Sequence, residues 1–314
     1  MTVWDALKTL PNLRTLNLDL EYCKISLPLN ALASLGNLHS ITLKNVKSSR
    51  ESSQILDAFA RMVAKSPKLT SIHLFPLLSF SMAVDPTYSL HQVFRYWPSM
   101  STTTSTSKAD APPSLRLRHL GLNSCLVRLD HITLPHLRNL QSIRLHSVID
   151  PYDDGRRNNL NDGPQQREVG SSVDEFWRIL ATEEIWLEEI EHDDVGEGFL
   201  DYLEAYPTMA GPGLETGLKS LTLNPDSWHR DPSYSNPMAK RFFSKQGPLV
   251  KHAKTLEELT IKSSYEGDWS FDMNNLGTLA MCANLKTFGM GIISGKIPWG
   301  DDSDDSENTV VRVL

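Results

Sequence analysis

The chain has 314 residues, a formal net charge of −7 and three cysteines. The acidic run Asp301, Asp302, Asp304, Asp305 and Glu307 supplies five of those charges, so the remainder carries only −2 and lacks the basic footprint of a nucleic-acid binder. The cysteine count is odd, and there is no N-x-[ST] acceptor, no signal-peptide pattern at MTVWD and no run of roughly 20 apolar residues. The composition therefore predicts an intracellular protein, cytoplasmic or nuclear, without membrane association.

In chain order, an apolar residue recurs at the first, fourth and sixth places of short runs. The runs are Leu13, Leu16, Leu18; Leu38, Ile41, Leu43; Leu69, Ile72, Leu74; Leu117, Leu120, Leu122; and Leu140, Ile143, Leu145. Further along they are Leu187, Ile190, His192; Leu218, Leu221, Leu223; Leu256, Leu259, Ile261; and Leu285, Phe288, Met290. His192 breaks the apolar pattern, which suggests a ragged strand or a register slip after the long segment before it. Between the runs lie stripes at helical spacing: Ile55, Leu56, Phe59, Met62, Val63; then Leu90, Val93, Phe94, Trp97; then Val173, Phe176, Trp177, Leu180. Phe199, Leu200, Tyr202 and Leu203 begin another helix, and Met273, Leu276 and Leu279 mark the last, each expected to pack its stripe against the strands.

Residues 98–114 hold nine Ser or Thr and three prolines, and residues 150–172 are polar and Gly-containing. Neither composition supplies a core, so both are predicted to be disordered inserts. Pro225 to Pro237 reads as a third, shorter excursion. Residues 299–314 read as an acidic flexible tail.

The nine runs fit L-x-x-L-x-L, the strand signature of leucine-rich repeats. A strand of this kind cannot bury its apolar face alone, so neighbours must stack. The predicted fold is α/β: a single leucine-rich-repeat solenoid over residues 1–298, with about nine divergent repeats, parallel strands on the concave face and helices on the convex face. The ninth place of each repeat shows no Asn ladder and is often a small or medium apolar group, with Cys125 in the cleanest copy. That copy resembles the cysteine-containing, ribonuclease-inhibitor-like subtype, which pairs strands with true helices.

The runs LPNLRTLNLDLEYC, SLRLRHLGLNSC and HAKTLEELTI resemble the repeat regions of fungal F-box and leucine-rich-repeat proteins. The resemblance implies selection of a target protein for a cullin–RING ubiquitin ligase. No F-box is recognisable before Leu13, and neither end shows a polar cap. The expectation is a segment of a longer or truncated protein, with a ligase adaptor as partner only if an F-box is encoded elsewhere. The alternative is a stand-alone scaffold or inhibitor that regulates a partner with no ligase link. A GTPase-activating repeat protein fits less well, because such repeats are more regular.

Catalytic and metal motifs are near-misses. Asp150, Asp154 and Gly155 match part of a calcium loop, but Tyr152 and Asn161 occupy ligand places. Gly289, Gly291, Gly295 and Lys296 fit no phosphate-loop spacing. His39, His73, His119 and His146 fall in different columns of successive repeats and are not expected to converge on a metal. The reading is therefore non-catalytic, with no cofactor, metal, nucleic acid or membrane. Places two, three, five, seven and eight are expected on the exposed face, where a target protein would bind. Arg118, His119, Arg144 and His146 form a basic patch there, followed by an acidic one at Glu188, Glu189, Glu191 and Asp193. Arg118, His119, Arg144, His146, Glu188 and Glu191 are the candidate partner-binding residues; the competing expectation is that these charges neutralise one another.

Overall fold

A computed structural model describes residues 10, 12–21, 29–47, 52–77, 88–97, 114–148, 173–207, 217–225, 232–263 and 266–292. The inserts, the calcium-like loop, the end of the glycine cluster and the acidic tail lie wholly or almost wholly outside these residues. The chain divides into two compact units, Met1–Glu168 and Val169–Leu314.

All nine apolar runs become strands. In unit 1 these are β1 (Thr15–Asp19), β2 (Ser40–Lys47), β3 (Ser71–Leu77), β4 (His119–Asn123) and β5 (Ser142–His146). They pair in parallel and in sequence order, with the fourth places aligned as Leu16, Ile41, Ile72, Leu120 and Ile143. Unit 2 holds β6 (Glu189–His192), β7 (Ser220–Leu223), β8 (Glu258–Ile261) and β9 (Thr287–Met290), also parallel and in order. The fold of each unit is thus α/β with parallel strands.

The strand pattern follows from alternation. Fourth and sixth places, two apart on the strand, point one way, and with the first place just ahead of the strand they are buried in nearly every run; Leu13, Leu18, Leu285 and Phe288, in the first and last runs, are only half-buried. The starts of β2 to β5 and of β7 to β9 are pinned by a repeated backbone device. The second-place carbonyl of one run accepts from two successive N–H groups of the next. Thr70 O, for example, accepts from Arg118 N at 2.8 Å and His119 N at 3.0 Å, and Lys219 O from Glu257 N at 2.8 Å and Glu258 N at 2.9 Å. These bonds lock register, because slipping one residue would reverse every side chain. Within the end of β2, and just after β4 and β5, the eighth places Asn45, Ser124 and Ser147 are left-handed with φ of 56°, 54° and 53°. Those turns bring the ninth places Val46, Cys125 and Val148 back into the core. Cys125 Sγ lies 3.1 Å from Asn123 O and 3.7 Å from Leu74 O on the preceding strand.

Nine helices occur among the described residues: α1 (Leu29–Leu32), α2 (Ser52–Ala64), α3 (Leu90–Phe94), α4 (Leu134–Leu137), α5 (Asp174–Thr182), α6 (Glu197–Ala205), α7 (Pro232–Phe242), α8 (Pro248–His252) and α9 (Met273–Leu279). The expected stripes on α2, α3, α5 and α6 are buried. Three expectations fail. His192 is in register opposite Leu223 and fully buried, so no slip occurs. Its ring is accommodated because Trp177 Nε1 donates to His192 Nε2 at 3.3 Å. The segment ending at Pro237 is not all excursion: α7 starts at Pro232, where proline's missing N–H is no loss. Of the α9 stripe only Leu279 is buried; Met273 and Leu276 face outward, 80% and 39% exposed, and the helix buries Asn275 and Thr278 in their place.

Candidate functional site

The solvent-facing side of the unit 1 strands is built from the third and fifth places of the runs. The register places Thr42, His73, Gly121 and Arg144 in one row and Ser40, Ser71, His119 and Ser142 in the row beside it. Strand spacing of about 4.8 Å makes each row a ladder of close neighbours. Arg118 is exposed in the bend before β4, His119 and Arg144 are exposed on their strands, and His146 is half-buried opposite Asn123. The four expected basic residues therefore share one face.

His73, read from the sequence only as one of the scattered histidines, is the centre of that face. Burial, and then the charges of Arg144, His119 and Lys44, push its imidazole down to about 4. The ring is neutral at pH 7 and sits in a positive field. It leans over Gly121, where a Cβ would lie 2.2 Å from His73 Nδ1 and 3.0 Å from Phe75 Cζ. The absence of a side chain at Gly121 is what lets the ring pack so close; no unusual backbone is involved. The His73 and Phe75 rings lie 5.7 Å apart, and Lys44 Nζ sits 6.0 Å from the Phe75 centroid.

Unit 2 presents a different surface. Its second-place column reads Glu188, Lys219, Glu257, Lys286, an alternating ladder across four strand starts. Lys219 Nζ donates to Glu188 Oε2 at 2.7 Å, and Lys286 Nζ to Glu257 Oε2 at 2.6 Å. Glu191 lies 3.9 Å from Lys262 Nζ. The acidic block expected here is thus interleaved with lysines from later strands. Asp193, expected on the exposed face, is buried. Reading one repeat at a time missed Lys219, Glu257, Lys262 and Lys286; reading down the second and seventh columns would have found them.

A cleft of about 590 Å³ opens between α7 and α9, lined among others by Lys240, Phe243, Asp268, Asp272, Asn275 and Met281. Several of its polar groups serve the fold. Asp272 and Asn275 form a capping box at the start of α9, Thr278 Oγ1 donates to Phe243 O at 2.7 Å, and Lys240 pairs with Asp268. Among the described residues no three His, Cys, Asp or Glu side chains gather as metal donors, and no helix is long and apolar enough to cross a membrane.

No protein-family model, no curated protein and no solved structure matches this chain.

Proposed function

We propose that the chain is a leucine-rich-repeat interaction module that holds a partner protein on the solvent-facing side of its parallel strands. One observation carries the reading: every L-x-x-L-x-L run is a strand whose apolar places are mostly inside and whose polar places form an ordered grid. Such a grid offers closely spaced side chains on a rigid backbone, which is what recognition of another folded surface needs. Site-directed photo-crosslinking tests it. A photoreactive amino acid at His119 or Thr222, on the strand face, should capture a discrete partner; the same group at Gln54 or Arg178, on exposed helix positions, should not. Equal capture from both sides would overturn the reading.

On its resemblance to fungal F-box repeat proteins, the module is a target receptor for a cullin–RING ubiquitin ligase, working inside the cell. Support for a reducing compartment comes from Cys125 and Cys282, both buried as free thiols. The ligase link is tested by deleting the gene: the crosslinked target should become longer-lived. An unchanged lifetime would favour the stand-alone scaffold.

A further inference from the structure

We draw no further inference here: the strongest candidate, the cleft between α7 and α9 together with the exposed Met273, Leu276 and Met281 on and just after α9, carries nothing because nothing among the described residues shows what covers it.

Discussion

The backbone N–H of Gly198 donates to Asp174 Oδ1 at 2.7 Å, joining the first turns of α5 and α6. The approach is so close that a Cβ on Gly198 would lie 2.7 Å from the Cα, Cβ and O of Asp174. Backbone would have to move, so Gly198→Ala should destabilise unit 2 by about 2–3 kcal/mol. Burial raises the Asp174 carboxyl to about 6, with Asp194 and Asp201 adding to the rise and the Gly198 N–H and Arg178 opposing it. A carboxyl raised on folding favours the folded state in its protonated form, and that contribution is lost as pH rises through about 6. Asp174→Asn keeps an acceptor for Gly198 and removes the charge. It should stabilise the protein by about 1–2 kcal/mol at pH 7 and by much less at pH 4. Denaturant melts at the two pH values check this; equal effects would mean that Asp174 is solvated.

His192 and Trp177 should be energetically coupled. Trp177 Nε1 is buried and uses His192 Nε2 as its acceptor, and the two ring centroids are 5.2 Å apart. His192→Leu restores the apolar consensus yet strands the indole N–H, at a cost of about 1–3 kcal/mol. In Trp177→Phe the same histidine change should cost less. A double-mutant cycle should therefore return a coupling on the order of 1 kcal/mol, and strict additivity would show that the bond contributes nothing.

The strand grid makes opposite demands on neighbouring side chains. Leu120 and Leu221 are each 1% exposed, so truncation to Ala should cost about 2–5 kcal/mol. Thr222, adjacent to Leu221 but on the other face, should tolerate Ala within about 0.5 kcal/mol. Urea midpoints for the three variants decide it, and similar values throughout would break the inside–outside assignment.

Acid should weaken both units through buried imidazoles. His136 is stacked on Phe94 and its Nδ1 accepts from Leu115 N at 2.9 Å, a bond that requires the neutral ring. His252 Nε2 lies 3.0 Å from Leu203 O. Burial pushes both down to about 4, against an ordinary value of 6.5. The unfolded chain therefore takes up these protons first, and stability present above pH 6.5 is lost progressively towards pH 4, by up to about 3 kcal/mol per ring. Asp174 works in the opposite sense over part of that range. The melting temperature should still fall from pH 6.5 to 4.5; a flat profile would contradict the burial of these rings.

Strand positions were legible because apolar residues at places four and six, in phase along the strand, with place one just ahead of it, report directly which side chains leave water. What escaped the sequence depended on contacts between distant residues. His192 looks misplaced until Trp177, 15 residues earlier, supplies its donor. Asp193 looks like surface charge but is buried beyond the end of β6. Helix α7 is hidden by Pro232 and Pro237, which read as part of an excursion, and α8, five residues opening on Pro248, is too short to show a stripe. The α9 stripe misleads because the buried side is held by polar bonds, Asn275 Nδ2 to Ser270 O and Thr278 Oγ1 to Phe243 O, that a hydrophobic pattern does not register. Of the candidate site, the basic residues were visible one repeat at a time. The packing of His73 over Gly121 and the lysines beside Glu188 and Glu191 appear only once neighbouring strands are set in register.

Gly121→Ala tests the centre of the basic face. The new methyl would overlap His73 Nδ1, but that atom lies on a side chain at the solvent-facing surface, so the ring can swing outward rather than strain the backbone. The stability cost should stay below about 1 kcal/mol, less than for a core overpacking change. Outward movement would rehydrate the imidazole and remove the main cause of its depressed titration. Followed by NMR, the His73 ring should titrate near 4 in the parent chain and move up towards its ordinary 6.5 in the variant. The Arg144, His119 and Lys44 charges remain in place, so the recovery should be incomplete. An unmoved His73 titration, or a loss of several kcal/mol of stability, would show that the ring is locked over Gly121.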